Sequence, residues 1–355
     1  MIPVKAVGIA VAILMVCGSV VAAQDRDASM NTKLSPVRVP PARVPPARVR
    51  PAKVPVILDT DIGDDIDDTW ALVMLLGSPQ VDLKLVVTAV DDTETKTRLV
   101  AKILQRVGRT DIPIGIGAKT SDRKINQHVW LGDYDLSAYP GTVIKDGVQA
   151  TIDLVKSAPD RMTILVIGPQ TNLMEALRRD PSIAANARIV AMAGSVAIGY
   201  NGKEKPDPEY NVARDVEAAR AVFAAPWEIT IAPLDVCGTL VVSGDRYARI
   251  TGSNAPRART VIENYDLWTH RQKHPTDASS VLYDTVAAYL TFDDALCEMT
   301  TVNLTLDDKG RTIPAETGRP VRCALKWKDR HAFEELLVGT LTLTLSQKGE
   351  GTLQP

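Results

Sequence analysis

The chain has 355 residues, 45% of them hydrophobic and 24% charged, with a formal net charge of −2, a balance that fits a soluble globular protein with one large domain or two smaller ones. The charge is unevenly placed: residues 24–53 carry seven Lys/Arg against two Asp, a formal +5, and the chain from Pro55 onward carries −8. An acidic body with its basic charge confined to one short stretch excludes nucleic-acid binding by the globular part.

The first segment, "MIPVKAVGIAVAILMVCGSVVAAQ", has one lysine, an apolar run and then small residues. It reads as a signal peptide over residues 1–23, cleaved near Ala22 to Gln24, which implies export to a periplasmic or extracellular space. "LMVC" lacks the small residue expected just before a lipid-modified Cys17, and an uncleaved anchor is the alternative. Beyond it only Cys237, Cys297 and Cys323 remain, too few for a disulfide framework and without metal or redox spacing, so buried structural thiols fit them. Residues 24–53 repeat Pro-Pro-Ala-Arg-Val and are expected to form an extended, semi-rigid linker. Its charge suits either a solvated spacer or weak contact with an anionic surface.

From Pro55 short apolar runs alternate with amphipathic ones. "VPVILD", "VDLKLVVTAV", "IPIGIG", "RMTILVIG", "ARIVAMAG" and "WEITIAPLDV" are short and rich in Val, Ile and Leu, as buried strands are. In "KTRLVAKILQRVG", Leu99, Val100, Ile103, Leu104 and Val107 recur at helical spacing. The βαβα order predicts one α/β domain over residues 54–345, a mostly parallel central sheet flanked by helices, with ligand sites at the carboxyl ends of strands. "LLVGTLTLTLSQKGEGTLQP" predicts a terminal strand and a frayed tail over 346–355.

"LDTDIGDDIDD" places six aspartates between Asp59 and Asp68 where the first strand hands over to a helix. Crowded carboxylates raise one another's pKa and cost stability unless a cation or hydrogen bonds neutralise them. With no histidine or cysteine nearby, oxygen ligands point to calcium or magnesium rather than zinc. An N-cap cluster, an extracellular calcium loop and a phosphatase of the haloacid dehalogenase type, which begins with Asp-x-Asp after a strand, are the rival readings. Three further polar turns precede helices: Gly168-Pro169-Gln170-Thr171-Asn172, Glu209-Tyr210-Asn211 and Tyr283-Asp284.

As an ordered set, "DTDIGDDIDD", "GPQTN", "EYN" and "YD" resemble the inosine-uridine preferring nucleoside hydrolase family. The resemblance implies a calcium-dependent hydrolase cleaving the N-glycosidic bond of ribonucleosides to free base and ribose, built as an oligomer. Carried over residue by residue, it implies that Asp61 binds calcium and takes a proton from the attacking water. Asp68, the backbone carbonyl of Thr171 and Asp284 complete the ion's protein ligands. Asp67 and Asn211 grip the ribose diol, Glu209 meets the 5′ hydroxyl, and Asp59 supports the ligands from behind. The closing Asp67-Asp68 pair requires a two-residue insertion, so Asp64 or Asp65 is an alternative to it.

The base pocket departs from the family. Tyr283 stands where a histidine often precedes the C-terminal aspartate, and is the residue left to assist the leaving base, as a weaker acid than imidazolium. Asp91-Asp92-Thr93 stand where many members carry Gly-Asn, which makes Asp92 a substrate-binding candidate. "YDLWTHRQKHPTD" offers Tyr265, Trp268, His270 and His274 for stacking or donation, and Trp130 and Tyr134 are further wall candidates. A non-catalytic nucleoside binder on the same scaffold and a magnesium-dependent phosphatase are the alternative functions.

Overall fold

The structure, a computed structural model, describes residues 53–272 and 277–343. The signal peptide, nearly all of the linker, His274 and the tail lie outside the described residues.

Ten strands form one sheet: β1 Val54–Thr60, β2 Val81–Thr88, β3 Ile114–Ile116, β4 Val143–Ile144, β5 Met162–Val166, β6 Ala187–Met192, β7 Glu228–Ala232, β8 Cys297–Leu306, β9 Thr312–Pro314 and β10 Arg319–Trp327. Their spatial order is β4-β3-β2-β1-β5-β6-β7-β10-β8-β9. β1 to β7 and β10 are parallel, while β8 pairs antiparallel with both β9 and β10. The fold is a single-domain α/β fold with a mostly parallel central sheet, as the sequence periodicity predicts. The antiparallel edge is the part that periodicity does not resolve, because β8 exposes much of its length and alternates poorly.

β1 is buried from Val56 to Thr60, the pattern of a strand covered on both faces. Its side chains divide between two cores, Val56 and Leu58 into one and Ile57 into the other. The first core is closed by α1 Asp67–Gly77, α2 Thr93–Arg106 and the short α3 His128–Leu131. The second is closed by α4 Gly147–Ser157, α5 Thr171–Arg179, α6 Ile183–Asn186 and α8 Val216–Ala224, with α7 Tyr210–Arg214 leading into α8. Further along, α9 Leu234–Cys237, α10 Gly244–Thr251, α11 Pro256–Gln272, α12 Tyr283–Leu290 and α13 Arg330–Thr342 add to the first core. Cys237, Cys297 and Cys323 are buried and free.

The chain builds outward from β1 through β2 and β3 to β4, then returns to β5 on the other side of β1. This reversal opens a crevice beyond the carboxyl ends of β1 and β5. The aspartates that come after β1 and the residues that come after β5 therefore meet.

The predicted terminal strand is corrected by the structure. "HAFEELLVGTLT" is helical, because Phe333, Leu337, Val338 and Leu341 fall on one helical face and are all buried, with α13 packed on α1 and α10. The alternation in "TLTLTL" that suggested a strand begins only at Thr340, in the last turn of that helix.

Candidate active site

The crevice deepens into a cavity of about 550 Å³ lined by Asp61, Asp64, Asp65, Asp67, Asp68, Glu209 and Asp284, with Asn126, Asn211, Ile167, Met192 and an aromatic and polar wall. A concave site of this size with converging polar groups suits a small molecule.

Three elements place the acids. Gly63 (φ 120°) turns the chain after β1, and α1 then starts with Asp67 and Asp68 buried in its first turn. Asp284 sits in the first turn of α12, and Glu209 is the N-cap of α7. Helix N-termini present unpaired N–H groups and the positive end of the dipole, so each acid has partial compensation from its own helix. The Asp284 N–H donates to Asp67 Oδ2 at 3.3 Å, and Thr60 Oγ1 donates to Asp68 Oδ1 at 2.5 Å. Ligand oxygens of Asp67, Asp68 and Asp284 lie within 4.8 Å of one another. Burial, then repulsion from neighbouring aspartates, holds all three carboxyls well above the usual carboxylate range: Asp65 and Asp61 act on Asp67, Asp61 and Asp67 on Asp68, and Asp67 and Asp68 on Asp284.

Asp61 lines the same cavity, half-buried, outside that tight group. Its carboxyl is pushed up to about 6 by burial, opposed by Lys96 and reinforced by Asp64. Lys96, fully buried on α2, donates through Nζ to the Asp61 carbonyl at 2.8 Å and the Ala89 carbonyl at 3.1 Å. Glu209 accepts N–H groups from Gly194 (3.0 Å), Asn211 (2.7 Å) and Val212 (3.3 Å), yet burial still raises it to about 7. Asn211 Nδ2 donates to the Met192 carbonyl at 3.1 Å, which fixes its amide at the cavity wall. Behind the floor, Asp59 is buried and accepts from Asn172 Nδ2 at 2.8 Å; burial, then Asp61, raises it to about 7. Asp59 does not line the cavity, so it is not placed to attack a phosphate as the phosphatase reading requires.

The two candidate aspartate pairs differ in burial. Asp67 and Asp68 are buried with Asp284, whereas Asp64 is half-buried and Asp65 is exposed at the mouth.

Three expected site residues are corrected. Thr171 does not line the cavity; it begins α5, where its hydroxyl donates to Asp215 Oδ2 at 2.6 Å. Ile167, four residues earlier and directly after β5, is the residue from that turn that lines it. Asp92 is the N-cap of α2, accepting from the Thr95 hydroxyl at 2.6 Å, and lies outside the cavity lining. His270 is exposed on α11 beside Asp266 and also lies outside it.

Tyr283 and Trp268 do line the cavity, Trp268 donating from Nε1 to the Asp64 carbonyl at 2.9 Å. Tyr265 is buried under Trp268, and Trp130 is buried beneath Lys102, so neither is a wall residue. Tyr134 packs against the core and donates to Gln105 outside the cavity.

Sequence reasoning missed Lys96, Ile167, Tyr200 and Arg123. Arg123 is the one cation among the described cavity-lining residues, held near Asp64 (3.5 Å) and the buried Asp91 (3.8 Å). Lys96 had a signal: it falls three and four residues before Leu99 and Val100, on the apolar stripe of α2, where an unpaired lysine is rare.

The family model described as inosine-uridine preferring nucleoside hydrolase matches residues 56–335. The "Probable uridine nucleosidase 2" of Arabidopsis thaliana is 28% identical over 296 residues, covering 78% of this chain and 90% of that protein. The "Pyrimidine-specific ribonucleoside hydrolase RihA" of Enterobacter sp. (strain 638) is 34% identical over 232 residues, covering 62% and 72%. Among solved structures, a plant nucleoside hydrolase, PpNRh1, superposes with a TM-score of 0.71 at 24% identity, covering 82% of this chain and 99% of that one. A purine-preferring ribonucleoside hydrolase from Gardnerella vaginalis gives 0.69 at 22%, covering 81% and 98%.

Proposed function

The chain belongs to the inosine-uridine preferring nucleoside hydrolase family and is a ribonucleoside N-glycosidase, and we propose that it acts with a calcium ion held on the carboxylate floor of the cavity. The observation that carries this reading is the buried group Asp67, Asp68 and Asp284, with Asp61 beside it in one cavity. Three buried carboxylates held above their usual range by burial and by neighbouring aspartates, with no thiolate or imidazole among the described lining residues, fit a hard divalent cation. Asp68 and Asp284, with Asp61 and the main chain of Ile167 at the edge, would hold it. When bound, the ion would supply positive charge that orients a water and the sugar diol and makes that water more acidic.

The protein groups then divide the work. Asp61, beside the Asp67, Asp68 and Asp284 group in the same cavity, takes the proton of the attacking water. Asp67 and Asn211 face the ribose hydroxyls, and Glu209, anchored by three N–H groups, fixes the far end of the sugar. The surrounding carboxylates favour the positive charge that grows on the ribosyl ring as the C1′–N bond lengthens. Trp268 and Tyr283 provide the flat, apolar wall for the base. We further propose export through residues 1–23, which N-terminal sequencing of the mature protein tests.

The deciding experiment is chromatographic detection of free base from a panel of purine and pyrimidine ribonucleosides, with calcium and with a chelator. Calcium-dependent release, abolished in Asp284→Asn, is the expected result. Binding of calcium and nucleoside with no base released would leave the non-catalytic binder in its place.

A further inference from the structure

The leaving base needs help: its nitrogen takes the bonding electron pair as the glycosidic bond breaks, and an unassisted base anion is a poor leaving group. Tyr283 lines the cavity, but no described residue holds its hydroxyl in one direction. A second phenol beside it is differently placed.

Tyr200 lies in the segment between β6 and α7 and lines the cavity. Its N–H donates to Asp207 Oδ2 at 3.0 Å, and the Asp207 N–H donates to Ser195 Oγ at 3.1 Å. The Gly199 N–H donates to the Lys203 carbonyl at 2.9 Å, which closes the turn. The ring packs edge-on to Tyr283, with centroids 6.1 Å apart and planes at 77°. Tyr200 is thus pinned at its backbone, its ring and its hydroxyl. Its oxygen accepts the main-chain N–H of Tyr210 at 2.8 Å.

A phenol has one proton to donate. Here the oxygen is engaged as an acceptor, and among the described residues nothing accepts the proton. Accepting one hydrogen bond strengthens a hydroxyl as a donor of the next. Burial, then the neighbouring Glu209 carboxylate, pushes the Tyr200 phenol above its ordinary range, so it stays protonated. The acids form the floor that suits hydroxyls and a cation, and the aromatic wall suits the base.

From the engaged oxygen, the unclaimed proton and the cavity position, we infer that Tyr200 is the hydrogen-bond donor to the departing base, with Tyr283 packing against it. This rests on the hydrolase reading above. As the C1′–N bond breaks, its electron pair passes to the base and the water oxygen bonds to C1′. The water's proton goes to Asp61, Tyr200 keeps its own proton and donates a hydrogen bond, and the released base anion takes a proton from solvent.

The test compares inosine and uridine with p-nitrophenyl β-ribofuranoside, whose leaving group needs no such donor, in the full chain with calcium. For Tyr200→Phe, the ratio of nucleoside to p-nitrophenyl riboside turnover is expected to fall about 10- to 100-fold, through kcat rather than KM. A ratio within twofold of the parent's, whatever the absolute rates, overturns the assignment, since a purely structural residue lowers both reactions together. A selective loss in Tyr283→Phe without one in Tyr200→Phe also overturns it and transfers the role to Tyr283. If the parent protein cleaves neither kind of riboside, the hydrolase reading itself fails, which is a different result from an unchanged ratio.

Discussion

The buried Nζ of Lys96 lies 2.8 Å from the main-chain oxygen of Asp61, joining α2 to the turn after β1 across 35 residues of chain. Five other acids approach this turn from β1, α1, α7 and α12, and Lys96 is the fully buried cation among them. Lys96→Met removes the counter-charge and leaves two carbonyls without their donor. We expect it to cost about 3 kcal/mol in a chelator, by the cost of breaking a buried ionic arrangement, and less with calcium bound. Denaturant unfolding in both conditions measures this, and a loss below about 1 kcal/mol in chelator would refute the role.

Gly168 comes after β5 so closely against Asp61 that a Cβ there would stand 2.8 Å from the Asp61 nitrogen and 2.9 Å from its Oδ1. Gly168→Ala must therefore displace the carboxylate that accepts the water's proton. Misplacement of a reacting group by a fraction of an ångström is expensive, and we expect kcat to fall at least about 100-fold while the fold is retained by circular dichroism. Parental kcat in this variant would show that the close approach of Gly168 is not needed to position the Asp61 carboxylate.

The raised carboxyls make the metal-free protein acid-stabilised. Asp59 and Glu209 are held near 7 and Asp61 near 6, above their ordinary values of 3.8, 4.5 and 3.8. The folded state therefore binds more protons than the unfolded chain between about pH 4 and pH 7. Their contribution is full below pH 4 and is lost as pH rises through the folded values. In chelator, Tm should fall from pH 5 to pH 8. Because calcium competes with protons for these oxygens, its stabilising effect should be larger at pH 8. Thermal scans at both pH values check this, and a chelated protein more stable at pH 8 would contradict it.

Asp92 and His270 lie outside the cavity lining. Asp92→Ala should cost about 1 kcal/mol, the worth of an N-cap, and leave nucleoside turnover within twofold. His270→Ala should leave both stability and turnover unchanged. A tenfold or greater fall in kcat/KM for either would return that residue to the substrate site.

Local pattern made much of the site legible. The strand, Gly63 and the Asp67-Asp68 pair at a helix start are neighbours in sequence, so their physics can be read in one short window. The same holds for Glu209 as an N-cap and Asp284 in the first turn of α12. Thr171 and Ile167 are four residues apart in one turn, and which of them reaches the cavity depends on how β5 ends beside β1. Asp92 shows the converse error: an acid ahead of a helix is read equally well as a ligand or a cap, and only its position relative to the cavity separates the two.

By itself, then, the sequence determined the parallel α/β order, the acidic turn after β1 and the set of polar turns at strand ends, because strand and helix periods, glycine turns and helix caps are short-range properties. Tertiary structure alone decided which of the six aspartates are buried together, that Lys96 is driven beneath Asp61, that Tyr200 joins the wall, and that the last element is a helix packed on α1. These outcomes depend on which distant segments share the crevice where the sheet reverses direction, and burial and pKa are properties of that shared environment rather than of any one segment.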